Sequence, residues 1–230
     1  MGYADAVLAG ASVMAVANQT PADVPTDYAV LRFLVQQKLS EIATLTLVRV
    51  EDCTNDGGIV PVGTVTVQPL VNMMSGDRVA FKHKPLYKVP YVRIQGGANA
   101  VILDPQPGDI GLAGFCSRDI SAVKQAKDVA NPGSFRMFSM ADGIYLGGCL
   151  NGVPTQYVVF GSEGVTVVSP TAITLQAPTI TLDGAVEATG DIHTPGTITG
   201  DTDVIAGTIS GKTHPHGGVT PGAGTSGPPQ

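Results

Sequence analysis

Two histidines one residue apart, His214 and His216, are the residues best suited to chemistry in a chain with only four histidines. In an extended backbone, residues i and i+2 point the same way, so Thr213-His214-Pro215-His216 would send both imidazoles to one side. Imidazole nitrogen ligates iron, nickel, copper and zinc. One chain supplies two such ligands, too few for a closed site. Three chains around an axis supply six, an octahedral set that disfavours zinc and leaves no open position for a substrate. The role of such an ion would be structural. Taken alone, a His-x-His pair is more often simply solvated, so the metal reading depends on what brings three chains together.

The residues ahead of the pair supply that reason. Between 135 and 212 the chain reads as short lines such as PTAITLQA, PTITLDG, IHTPGTITG and DTDVIAGTISG. Each holds one or two β-branched or Leu residues at alternate positions and ends in Gly, Pro, Asp or Ser. The step is irregular, about six to nine residues, but the pattern is consistently strand, turn, strand, turn. Ile173, Leu175, Ile180, Leu182, Ile192, Ile198, Val204 and Ile209 are the candidates to point inward. Each line is too short to bury itself, and a lone chain would expose its strand edges. Winding identical chains around one axis pairs the edges and joins the apolar residues at the centre. A single-chain β-sandwich is the alternative, and it would need strands longer than these. Gly161 to Gly211 holds no Lys or Arg, only the acids Glu163, Asp183, Glu187, Asp191, Asp201 and Asp203.

The upstream elements have a different period. Residues 1–42 read as an N-terminal arm followed by a helix: Tyr28, Leu31, Leu34, Val35, Leu39 and Ile42 have helical spacing, and Thr26 or Asp27 suits the N-cap. In TLTLVRVEDC the residues alternate, with Val48 and Val50 on one face and Leu47 and Arg49 on the other. Short β runs separated by Gly and Pro follow, and residues 43–134 are predicted to form a five-stranded OB-fold barrel. The fold class is therefore mainly β: a barrel, then a triple-stranded β-helix over 135–212, then an apex at 213–230.

Composition agrees with self-association. Hydrophobic residues make up 43% and charged residues 14% of 230, so much surface must be hidden. A net charge of -6 argues against nucleic acid as partner. The one basic stretch, Lys82, His83, Lys84, Tyr87 and Lys88, is read as a solvated loop or a contact with an acidic protein surface. Cys53, Cys116 and Cys149 lack metal or disulfide spacing, which suits free thiols in a protein assembled in a reducing cytoplasm. The apolar run Ala6–Ala17 has no basic segment before it and is too short to span a bilayer, so no signal peptide is expected. No GxSxG and no phosphate loop occurs, and His193 is read as structural or solvated, so an enzyme is not expected.

The ending GKTHPHGGVTPGAGTSGPPQ resembles the apex of the central baseplate spike of contractile-tailed phages, which reads much like T-H-x-H-G-G-V-x-x-G-x-G-x-S-x-x-P-Q. Thr213, His214, His216, Gly217, Gly218, Val219, Gly222, Gly224, Pro229 and Gln230 carry the match. The turn at Asp104–Gly114 resembles the barrel of that family less sharply. The resemblance implies a membrane-piercing virion protein: a homotrimer with an N-terminal OB-fold seated on tail hub proteins, and a β-helix with its tip toward the host outer membrane. It also implies one iron ion per trimer, held octahedrally by His214 and His216 of each chain. A trimeric receptor-binding tail fibre would need a bulkier C-terminal head. A type VI secretion spike usually carries a large hub portion ahead of the barrel. The spike of a phage-derived bacteriocin would read the same as this chain.

Overall fold

A computed structural model of the chain describes residues 26–75, 78–213 and 222. The chain divides into two units, Met1–Val167 and Val168–Gln230. The described part is mainly β, with few helices.

The first unit is built on a curled sheet. Strands β1 (Leu45–Cys53), β2 (Thr64–Pro69), β5 (Leu86–Pro90), β8 (Ile110–Phe115) and β9 (Gly143–Gly148) lie in the order β5-β2-β1-β8-β9, every neighbour antiparallel. The outer strands meet at a parallel bridge between Tyr91 and Tyr145, where the Val92 N–H donates to the Tyr145 carbonyl at 2.9 Å. Alternation explains the interior. Val48 and Val50 of β1, Val65 and Val67 of β2, Val89 and Tyr91 from β5 onward, Ala113 of β8 and Tyr145 of β9 form one buried core. Valine dominates because a narrow curled sheet leaves room for small branched side chains. Burial pushes the Tyr145 hydroxyl up to about 12, with Asp109 and Cys149 adding to the effect.

Two small hairpins interrupt the meander: β3 (Met73–Met74) with β4 (Ala80–Phe81), and β6 (Ile94–Gly96) with β7 (Asn99–Val101). Helix α1 (Asp27–Ser40) precedes the sheet, and its N-cap Thr26 is extended but makes no side-chain cap bond. Asp27 in the first turn and Lys38 in the last complement the helix dipole. Helix α2 (Ser121–Ala126) and a 3₁₀ turn (Met140–Asp142) lie between β8 and β9. After the sheet, β10 (Tyr157–Gly161) and β11 (Gly164–Val168) form a separate two-stranded sheet.

One expectation needs correction. The repeat expected over 135–212 takes in the stretch FSMADGIYLGG, but Gly143–Gly148 is the fifth strand of the curled sheet. The reason is packing: the register Ala113↔Tyr145 sends Tyr145 into the core, where it is almost fully buried. Of the glycines in this segment, Gly147 takes φ 140°, and a Cβ on Gly143 would meet the Phe115 ring at 3.1 Å; Gly111 on the neighbouring strand is tighter still. A Cβ on Gly111 would overlap both the Gly147 carbonyl oxygen and the Tyr145 hydroxyl.

In the second unit the described chain carries no strand from 169 to 204. It then forms the hairpin β12 (Ile205–Ala206) and β13 (Ile209–Ser210). The turn is Gly207–Thr208, with Gly207 at φ 63°, a conformation in which glycine meets no steric penalty.

The packing at Gly111 yields a paired test. Gly111→Ala should lower the stability to chemical denaturant by about 1–3 kcal/mol, the range for forcing atoms into a packed core. Gly114→Ala, whose new Cβ would meet only Leu45 and Leu146 side chains at 3.4 Å, should cost markedly less.

Candidate functional site

Among the described residues, the aliphatic positions of the expected repeat stand out by their exposure. Ile173, Leu175, Ile180, Leu182, Ile192, Ile198, Val204 and Ile209 all stand between 49% and 72% exposed. Ordinary domains scatter single apolar residues on the surface; a whole segment of them marks a contact face. The hairpin β10–β11 shows the same condition on both its faces, with Tyr157, Val158, Val159, Phe160, Val165 and Val167 exposed. A two-stranded ribbon in water is marginal at best and needs packing on at least one face.

The chain leading to the histidines is anchored. The Asp203 carboxylate accepts from the backbone N–H of Val204 at 2.8 Å and of Lys212 at 3.0 Å. The Ser210 hydroxyl oxygen accepts from the N–H of Thr213 at 3.0 Å and from the Thr213 hydroxyl at 3.1 Å. The hydrogen bond from Ser210, followed by those from the backbone, holds Asp203 below the usual carboxylate range. Thr213 is therefore tied back to the β12–β13 hairpin. His214 and His216 lie outside the described residues. Among the described residues, no group of three or more His, Cys, Asp or Glu side chains is placed to hold a metal ion. His193 is exposed and His83 is half-buried, its carbonyl accepting from the Gln68 amide at 2.9 Å.

The basic stretch contains a β-bulge. Val65 pairs with Val89 and Val67 with Leu86, so Tyr87 and Lys88 together oppose Thr66. Lys88 takes φ 55°, and both side chains point outward. Bulges and outward lysines on an outer strand resist unwanted edge pairing. Cys53, Cys116 and Cys149 are free and half-buried.

Two ionic clusters escaped the sequence reading because their members are scattered along the chain. In the first, the buried Asp104 carboxylate binds Arg93 and accepts from the Tyr91 hydroxyl at 2.6 Å and the Gly57 N–H at 3.0 Å. Arg93 also donates to the Val60 carbonyl at 2.7 Å. The cluster thus fastens the 54–63 loop to the base of the β6–β7 hairpin. Burial works to raise the Asp104 pKa, but the bonds from Tyr91, Arg93 and Gly57 outweigh it and hold it low. In the second, Arg136 makes a two-pronged contact with Asp142, through Nε at 2.6 Å and Nη2 at 2.8 Å, and reaches Asp119 at 2.7 Å. Ser121 and Ser134 also bond Asp119, and the Ile120 N–H bonds Asp142 at 3.0 Å. This cluster ties the 119–136 excursion to the sheet.

Residues 61–148 match the family described as phage protein Gp138 N-terminal domain. The matched span begins just before β2 and ends with β9, so it takes in four of the five strands of the curled sheet. No curated protein matches the chain.

Removing the Asp104 carboxylate leaves Arg93 buried without its partner. Asp104→Ala should destabilise the first unit by roughly 3–5 kcal/mol in chemical denaturation, as loss of one member of a buried pair does. Acid should loosen the second cluster. The bonds from Ser121 hold Asp119 at about 2, below its ordinary 3.8. Its contribution is therefore complete above pH 3.8 and is lost as the pH falls through about 2. An acid titration followed by near-ultraviolet circular dichroism checks this; Asp119→Asn should flatten the transition in that range.

Proposed function

We propose that the chain is the central spike of a contractile tail baseplate, a trimeric, non-enzymatic virion protein that pierces the host outer membrane when the tail contracts. The observation that carries this reading is the run of half-exposed aliphatic residues from Ile173 to Ile209. Three such runs wound around an axis bury them together as a triple-stranded β-helix. A prism with all its strands paired between chains resists shear, because many hydrogen bonds must break together. The piercing role needs stiffness and a narrow end, and no catalytic group.

The other parts take their places around that shaft. The strand order of the curled sheet, with its parallel closure at Tyr91 and Tyr145, supports an OB-fold barrel. The match to a phage protein domain over 61–148 supports a tail component, with the barrel seated on hub proteins of the baseplate. His214 and His216 of three chains form the iron site at the tip, where two imidazoles per chain make an octahedral donor set. Their departure point, Thr213, is fixed by Ser210. A metal there would keep three chain ends from fraying where the aliphatic core runs out.

Elemental analysis of the purified, untagged chain, with its mass by light scattering, tests the reading. A mass of three chains with one iron per particle is expected. His214→Ala with His216→Ala should remove the iron and leave the trimer, whereas Ile180→Asp with Ile198→Asp should abolish the trimer. A monomer at micromolar concentration would overturn the spike assignment.

A further inference from the structure

We infer that helix α1 is a second trimer contact, in which three parallel α1 helices pack together, one from each chain. The inference rests on the homotrimer proposed above, since two heptads cannot hold three chains unaided. It starts from an imbalance. Helix α1 has no buried residue, yet Tyr28, Leu31, Leu34, Val35 and Leu39 are each half or more exposed. A 14-residue helix with nothing against its apolar stripe is marginal in water. Its C-terminal end is nevertheless fixed to the first unit. The Ala43 N–H donates to the Phe138 carbonyl and the Phe115 N–H to the Thr44 carbonyl, both at 2.9 Å.

The identity of the covering surface follows from the register of the charges. With Tyr28 at heptad position a, Val35 also falls at a, Leu31 at d, and Lys38 at the second d. Lys38 is drawn to the edge by Glu41, which it meets at 2.9 Å. Asp27 then stands at g and Arg32 at e. In a parallel bundle, a g residue faces the e residue five positions on in the neighbouring helix. Asp27 of one chain thus meets an Arg32 side chain of the next, and the following g–e pair is Leu34 with Leu39. One pair is oppositely charged and the other is apolar, so the stripe complements a copy of itself in parallel register. An antiparallel neighbour would not match Asp27 with Arg32. Val35 at a with Leu31 at d suits parallel helices but on its own favours two strands, so the count of three comes from the homotrimer and not from the stripe. Tethering by the shaft raises the local concentration of the three helices far above that of free chains.

Cysteine cross-linking tests the arrangement on the full chain with Cys53, Cys116 and Cys149 changed to Ser. Val35→Cys, at the core of the bundle, should oxidise to covalent dimers on a denaturing gel. Gln37→Cys, on the opposite side of the helix, should stay monomeric. Asp27→Arg should reduce the Val35→Cys cross-link, and Asp27→Arg with Arg32→Asp should restore it. The double change keeps a cation at the helix N-terminus, so rescue reports pairing between chains rather than repair of the dipole. Light scattering separates the two ideas. A trimer in which Val35→Cys does not cross-link overturns the helical contact and leaves the spike standing. A trimer in which Gln37→Cys cross-links as well as Val35→Cys overturns the stripe assignment. A monomer overturns both.

Discussion

The governing constraint is that the segment from 168 to 213 cannot complete itself. Its aliphatic residues are too few per line to make a core within one chain, and they remain half-exposed when the chain stands alone. Full burial of a Val, Leu or Ile side chain contributes about 1.5–3 kcal/mol, so covering the exposed half or more of eight of them is worth about 1 kcal/mol or more each. That sum approaches the whole stability of an ordinary domain, 5–15 kcal/mol. On the trimeric reading proposed above, the neighbouring chains realise that term. The other features of the segment follow: Gly, Pro, Asp and Ser at the line ends supply turns, while Thr and acids face water.

The first unit solves the opposite problem. Its sheet curls until the outer strands touch at Tyr91 and Tyr145, so the core is enclosed by one chain. That core is small and rich in valine, and the loops around it are held by ions instead. Arg93 with Asp104 and Arg136 with Asp119 and Asp142 give long excursions fixed positions without adding apolar bulk. Buried pairs are weak sources of net stability, and their value here is specific geometry.

The sequence shows the helix and the strand-rich character of the first unit in outline. The period change from Tyr28–Ile42 to Leu45–Val50 marks helix and first strand, and the alternation puts Val48 and Val50 on one face, which the structure shows to be the buried one. The sequence does not show where the curled sheet ends. Gly143–Gly148 has the same Gly-bounded, aliphatic look as the repeat, and only the pairing Ala113↔Tyr145 separates them. That pairing is a contact between residues 32 apart, which local pattern does not encode. The ionic clusters were hidden for the same reason: Asp104 gathers Gly57, Tyr91 and Arg93, and no spacing rule joins these positions. The His-x-His pair was visible at once because its chemistry is local.

Amide hydrogen exchange across residues 169–213 tests the central claim most directly. If three chains wind into a prism, the amides from Ile173 to Ile209 pair with neighbouring chains and exchange slowly, as one cooperative unit. Their protection should vanish together when the particle is dissociated, while β1, β2 and β8 remain protected. Fast exchange throughout 169–213 in the assembled protein would contradict the account, because the aliphatic run would then have found no strand partners.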